Sequence, residues 1–259
     1  LRVQLGLTFL LKRTVAVGMS NPEVRCFSSL DALDEALADK ASKILHAAIS
    51  QRGRASLVVS GGSTPIGFFQ RLSKSDIAWE RVSIWLADER WVDSQDSASN
   101  EKLVRTHLLQ NRAANARFIS FTEEHFSQGL SAQHGALALQ KKYAGEGDFD
   151  LVILGMGQDA HTASLFPEIP QLDEGLDVHS EVHYIGTRAP VAPQERLSMT
   201  LARIVKAKRV VVHITGQAKA HVIKDAWLND NVFSQPVAAF LKQKSVSVSV
   251  YCDYDPSFT

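Results

Sequence analysis

The chain has 259 residues, 45% of them hydrophobic and 22% charged, a globular composition long enough for one large or two small domains. Lys plus Arg and Asp plus Glu number 28 each, so no global field gathers nucleic acid, and no apolar run reaches the length of a membrane span. The two cysteines, Cys26 and Cys252, match no metal spacing, and free thiols in a reducing cytosol are the simpler reading.

The first methionine is Met19. Residues 1–18 are expected either to precede the natural start or to form a poorly structured extension. Residues 1–22 are therefore set apart as a flexible N-terminal extension, and no linker, repeat or low-complexity tract divides 23–259, which reads as one domain. Apolar periodicity predicts a helix over 31–50, with Asp31 as N-cap and Gly53 as its stop. Residues 56–60 form a short apolar strand, and Gly61-Gly62-Ser63-Thr64-Pro65 follows at once. Pro65 suits the first turn of a helix through Phe68, Phe69 and Leu72.

The next strand, 82–86, ends in Asp88-Glu89-Arg90, and 99–110 reads as helix. A strand over 117–121 precedes a helix over 131–143, with apolar positions at Leu137 and Leu139. The buried strand 151–154 leads into Gly155, Gly157, Asp159 and then His161-Thr162, which open a helix. A strand at 182–186, a helix at 197–207, a strand at 209–214, helices at 216–228 and 236–241 and a strand at 246–251 complete the chain. Strands alternating with helices predict an α/β fold with a mostly parallel, twisted sheet covered on both faces. Chemistry in such sheets gathers at strand C-termini, where all three polar clusters fall.

Ser60 to Pro65 joins a strand to a helix. Its glycines let the backbone approach an anion, N–H groups at the helix start point at it, and the Ser63 and Thr64 hydroxyls add donors. No Lys follows the glycines, so a phosphate monoester suits the loop better than a nucleoside triphosphate. The plain alternative is a tight turn with a hydroxyl cap. In Asp88-Glu89-Arg90, paired carboxylates can move protons when one pKa is raised, and the Arg90 fork can grip phosphate or carboxylate; the plain alternative is a surface ion pair. His161 is the candidate base, because the macrodipole at a helix start disfavours imidazolium. Asp159 either orients it or positions a water. His125 and His134 read as surface residues, and His213, within an apolar strand, as a satisfied core histidine. Arg196 begins the helix 197–207 after Pro190-Val191-Ala192-Pro193, aimed either into the site or at solvent. No metal-ligand cluster is visible.

SGGSTP at 60–65, ADER at 87–90, GMGQDAHTASLFP at 155–167 and APVAPQERLSMT at 189–200, with Asn100-Glu101 between the second and third, together resemble the glucosamine-6-phosphate isomerase/6-phosphogluconolactonase family over about 24–251. Glucosamine-6-phosphate deaminases typically read GHIAFNEP at the histidine motif and DEY at the second cluster. Ser164-Leu165-Phe166 and Arg90 stand in those places here, which favours the lactonase branch. Many lactonases carry a Lys in the proline segment, where this chain has Val191; Arg188 or Arg196 is expected to supply that charge.

The resemblance implies a Rossmann-like fold of the sugar-phosphate isomerase/deaminase kind. It also implies hydrolysis of 6-phospho-D-glucono-1,5-lactone to 6-phospho-D-gluconate, the second step of the oxidative pentose phosphate pathway. His161 is then the general base acting on water, with Asp159 as its catalytic partner. Backbone N–H groups around Gly155 to Gly157 would meet the oxyanion. Gly61, Gly62, Ser63, Thr64, Arg90 and Arg196 would hold the C6 phosphate, with Asp88 also at the substrate. The resemblance implies no cofactor and no metal, a small phosphosugar lactone as partner, neither nucleic acid nor membrane, a monomer or weak homodimer, and a cytoplasmic location. Two other readings stand beside it: an aminosugar-phosphate deaminase or isomerase with Asp88 abstracting a C2 proton, and a non-catalytic sugar-phosphate sensor.

Overall fold

A computed structural model describes residues 22–122 and 126–256. The extension expected at 1–22 lies outside that range except for Pro22, and so does His125. Seven strands form one parallel sheet in the order β1 (Glu23–Cys26), β10 (Val248–Cys252), β9 (Val210–His213), β6 (Leu151–Leu154), β2 (Ala55–Val59), β3 (Val82–Leu86) and β5 (Arg117–Phe118). Every residue of β6 and β9 is buried. Side chains alternate between the faces of a strand, so both faces of the sheet centre are covered, as the expected α/β fold requires. The chain runs outward from β2 through β3 to β5, and on the other side from β6 through β9 to β10. The order therefore reverses between β2 and β6, whose C-terminal ends form the crevice where open α/β sheets bind ligands.

The helices are α1 (Leu30–Arg52), α2 (Ile66–Leu72), α3 (Asn100–His107), α4 (Ala132–Lys142), α5 (Leu172–Leu176), α6 (Leu201–Ile204), α7 (Gln217–Leu228) and α8 (Val237–Lys242). Ser29, not Asp31, caps α1: its hydroxyl accepts from Ala32 N–H at 3.2 Å, while Asp31 already lies in the first turn. Gly53 ends that helix as expected, with φ 73° and its N–H on the Ile49 carbonyl. The strand expected over 117–121 shrinks to Arg117–Phe118, an edge strand. β1 escaped the sequence reading because three of its four residues are exposed, which leaves no alternation to detect. It sets Cys26 directly opposite Cys252 in parallel register, both as free thiols.

The largest correction lies at 195–207. In place of a helix over 197–207, Glu195–Met199 forms strand β8, and only Leu201–Ile204 is helical, capped by Thr200. β8 pairs antiparallel with β4 (Asp88–Arg90) on one side and β7 (Tyr184–Arg188) on the other. Leu197, Met199 and Leu201 alternate at the strand period of two, and partners on both sides complete the strand.

His213 corrects another expectation. It is 2% exposed, yet neither ring nitrogen has a hydrogen-bond partner, and Asp34 Oδ1 stands 3.9 Å from Nε2. Burial, then the Lys219 charge, pushes its pKa down to about 4. The unfolded chain binds a proton below its ordinary value of 6.5 while the fold refuses one, so this contribution to stability is present above 6.5 and lost as pH falls toward 4. Asp34 acts oppositely, since burial raises it to about 6. Comparison of His213→Leu with wild type isolates the histidine. From pH 7.5 to 4.5 the variant should gain roughly 2 to 3 kcal/mol relative to wild type in urea unfolding. A pH-independent difference would refute this origin.

Candidate active site

The hydroxyl–glycine loop leaves the end of β2 and the histidine loop leaves the end of β6, on either side of the order reversal. A cavity of about 240 Å³ lies between them. Ser60, Gly61, Gly62, Ser63 and Thr64 line it, as do Gly155, Met156, Gly157, His161 and Ala163. Asp88, Arg90, Asn100, Arg196 and Lys219 complete the lining. The fold thus brings into one cavity the substrate-binding residues expected from the sequence, and Asp159 stands against His161. Larger cavities, of about 530, 580 and 420 Å³, lie elsewhere and are lined by no histidine.

No helix starts at His161. Residues 155–171 form a loop with a single bridge, Thr162 to Leu165, and α5 begins at Leu172. The helix dipole expected to disfavour imidazolium is therefore absent, and the imidazole bonds a carboxylate instead. His161 Nδ1 meets Asp159 Oδ1 at 2.5 Å, and the same oxygen accepts the His161 backbone N–H at 3.2 Å. Burial pushes the Asp159 carboxyl up, but bonding and charge from His161 outweigh it and leave the pKa below the usual carboxylate value. An ionised Asp159 assigns the proton to Nδ1 and leaves the Nε2 lone pair free.

The loop is built around this pair. A β-carbon on Gly157 would come within 2.2 Å of His161 Nδ1 and 2.4 Å of Asp159 Oδ1, so the pair itself demands glycine there. Ala160 and Ala163 carry positive φ values of 64° and 49° on either side of the histidine, a strained conformation typical of functional loops. Thr162 Oγ1 ties the loop to the Gly155 carbonyl at 2.7 Å. The Gly157 N–H is taken by the His161 carbonyl at 2.9 Å, so it is not among the free donors expected for an oxyanion.

The opposite wall is cationic. Arg90 and Arg196 face each other in antiparallel register. Arg196 is 5% exposed, its Nε donates to the Pro193 carbonyl at 2.7 Å, and burial, then the Arg90 charge, lowers its pKa. Half-buried Arg90 and buried Arg196 place two like charges side by side on the cavity wall, an arrangement that favours an anionic ligand. Arg196 and His161 also share a neighbour, Phe166, at 5.7 and 4.3 Å from its ring centre. Lys219, in the first turn of α7, supplies a third cation, its pKa lowered by burial.

Lys219 carries no local signal of a site, because the glycine-marked end of β9 reads from sequence only as the start of a helix. Strand, glycine and helix follow one another there as they do after β2. Val191 is 64% exposed, and Arg188 is exposed and bonded to Gln194, so neither lines the cavity. Asp88 is 6% exposed, and its Oδ2 accepts from Ser164 Oγ at 2.6 Å. Glu89, by contrast, turns inward to α3 and does not line the cavity. Among the described residues no cluster of His, Cys, Asp or Glu is suited to a metal ion, and no helix is long and apolar enough to cross a membrane.

The family described as glucosamine-6-phosphate isomerases/6-phosphogluconolactonase matches residues 28–249. A 6-phosphogluconolactonase of Rhizobium meliloti is 38% identical over 226 residues, covering 87% of this chain and 96% of that protein. The crystal structure of a 6-phosphogluconolactonase from Shewanella baltica superposes with a TM-score of 0.84 at 38% identity, covering 90% of this chain and 97% of that one. The Trypanosoma brucei 6-phosphogluconolactonase superposes with a TM-score of 0.76 at 27% identity, covering 92% and 98%. With its switch-point cavity, its histidine loop and these relatives, the chain belongs to the glucosamine-6-phosphate isomerase/6-phosphogluconolactonase family.

Proposed function

We propose that this chain is a 6-phosphogluconolactonase that hydrolyses 6-phospho-D-glucono-1,5-lactone to 6-phosphogluconate in the oxidative pentose phosphate pathway. The observation that carries the reading is one small cavity holding a histidine–carboxylate pair opposite Arg90, Arg196 and Lys219. Such a cavity suits an anionic substrate attacked by an activated water. Ser63, Thr64 and the backbone of Gly61 and Gly62 hold the C6 phosphate, with charge supplied by Arg90, Arg196 and Lys219. His161 Nε2 removes a proton from water as its oxygen bonds to the lactone carbonyl carbon. Asp159 stabilises the imidazolium that results. The bond from C1 to the ring oxygen then breaks, and the imidazolium returns its proton to that oxygen. No step calls for a metal or cofactor.

Sparse cysteine content supports a cytoplasmic location, and balanced charge supports a small molecule rather than nucleic acid as partner. A direct assay tests the activity. Lactone loss, corrected for spontaneous opening, should be fast, and glucosamine 6-phosphate should release no ammonia. Ammonia release would favour the deaminase, with Asp88 as base. Tight 6-phosphogluconate binding without faster lactone opening would favour a sensor.

A further inference from the structure

Asn100 opens α3 and is 2% exposed. It is held from three sides. Its backbone N–H donates to Glu89 Oε1 at 2.7 Å, and its Nδ2 donates to the Asp88 carbonyl at 2.9 Å. Its Oδ1 is buried without a hydrogen-bond partner and presses on Gly61, where a β-carbon would come within 1.8 Å of it. Gly62 has φ 88°, but Gly61 lies outside the left-handed region. Asn100, and not backbone conformation, is what requires glycine at 61.

Glu89 anchors this arrangement. It is 0% exposed and also accepts from the N–H groups of Arg90 and Glu101, each at 2.7 Å, and from Ser99 Oγ at 3.1 Å. Burial pushes its carboxyl up to about 7, against the pull of those N–H groups. Asn100 Oδ1, by contrast, is a buried acceptor left unpaired, which is costly, and it sits where the hydroxyl–glycine loop meets β4.

We propose that Asn100, anchored by Glu89, is a positioning residue that sets the spacing between Gly61 in the phosphate loop and Asp88 on β4. It thereby holds the binding groups at the two sides of the cavity in register. The proposal rests on reading 60–64 as the phosphate site.

The test compares Asn100→Ala, Gly61→Ala, the double variant and Ser63→Ala. It uses thermal unfolding, lactone kinetics and calorimetric binding of 6-phosphogluconate. Asn100→Ala should raise the lactone KM and the 6-phosphogluconate Kd about tenfold, with kcat within about threefold. Gly61→Ala should raise Kd about thirtyfold, because its methyl strikes Oδ1. In the double variant that methyl should add no further loss, leaving Kd within about twofold of Asn100→Ala alone. An unchanged Kd in folded Asn100→Ala overturns the proposal, and so do single effects that simply multiply in the double variant. Should Asn100→Ala not fold, Gly61→Ala decides: the loss supports the proposal and an unchanged Kd overturns it. If Ser63→Ala leaves Kd unchanged, the phosphate is not on the loop and the proposal falls with that reading. If Ser63→Ala weakens binding and Asn100→Ala does not, the positioning role alone fails.

Discussion

Replacing His161 with Ala should lower kcat on 6-phosphogluconolactone about 100- to 10,000-fold while KM moves by no more than a few-fold. In the proposed mechanism the ring acts on the attacking water and not on the phosphate, so its loss removes an interaction made only as the proton moves. Asp159 Oδ1 lies 2.5 Å from Nδ1, an orientation that leaves Nε2 to act as the proposed base. Asp159→Asn should therefore lower kcat as well, with little change in 6-phosphogluconate affinity, because an amide neither fixes the tautomer nor stabilises the imidazolium. Rates must be corrected for spontaneous opening of the lactone, which sets the floor of the assay. Near-normal kcat in His161→Ala would remove the histidine from the base role. A large rise in KM at unchanged kcat would move it to binding.

Arg196→Ala should raise KM for the lactone about 10- to 100-fold with kcat changed far less, the range expected for losing a charge-assisted hydrogen bond to phosphate. The guanidinium is buried beside Arg90, so part of its cost in the free protein is relieved when a dianion arrives. Arg196→Lys should recover little, because an ammonium lacks the planar fork and cannot make the same Nε bond to Pro193 while reaching the ligand. Steady-state kinetics and calorimetry with 6-phosphogluconate read the effect. Loss of kcat at unchanged KM would instead place Arg196 at the reacting carbonyl, a position compatible with the Phe166 ring it shares with His161.

Much of the scaffold was legible because its signals are local. The apolar runs of β2, β3, β6 and β9 and the glycine that stops α1 are written in adjacent residues. The two site loops were legible for the same reason, as strand ends followed by glycines and hydroxyls. What escaped depends on partners distant in sequence. β8 is a strand because β4 and β7 flank it, and nothing between Glu195 and Ile204 announces those neighbours. The glycines and threonine around His161 suggest a helix start, but the chain continues as a strained loop whose polar groups satisfy one another.

By itself, the sequence determined the class of fold and the chemical types available: a histidine beside a carboxylate, a hydroxyl–glycine loop and several arginines. Each of those signals spans only a few residues, so local sterics and hydrogen bonding suffice to express it. The tertiary structure decided which of them meet. The reversal of strand order sets the loops after β2 and β6 side by side, and the small antiparallel sheet turns Arg196 toward Arg90. Lys219 joins the cavity from the start of α7, while Val191 stays in solvent. Contacts between residues tens of positions apart arise from packing around a shared core, and no local pattern carries them.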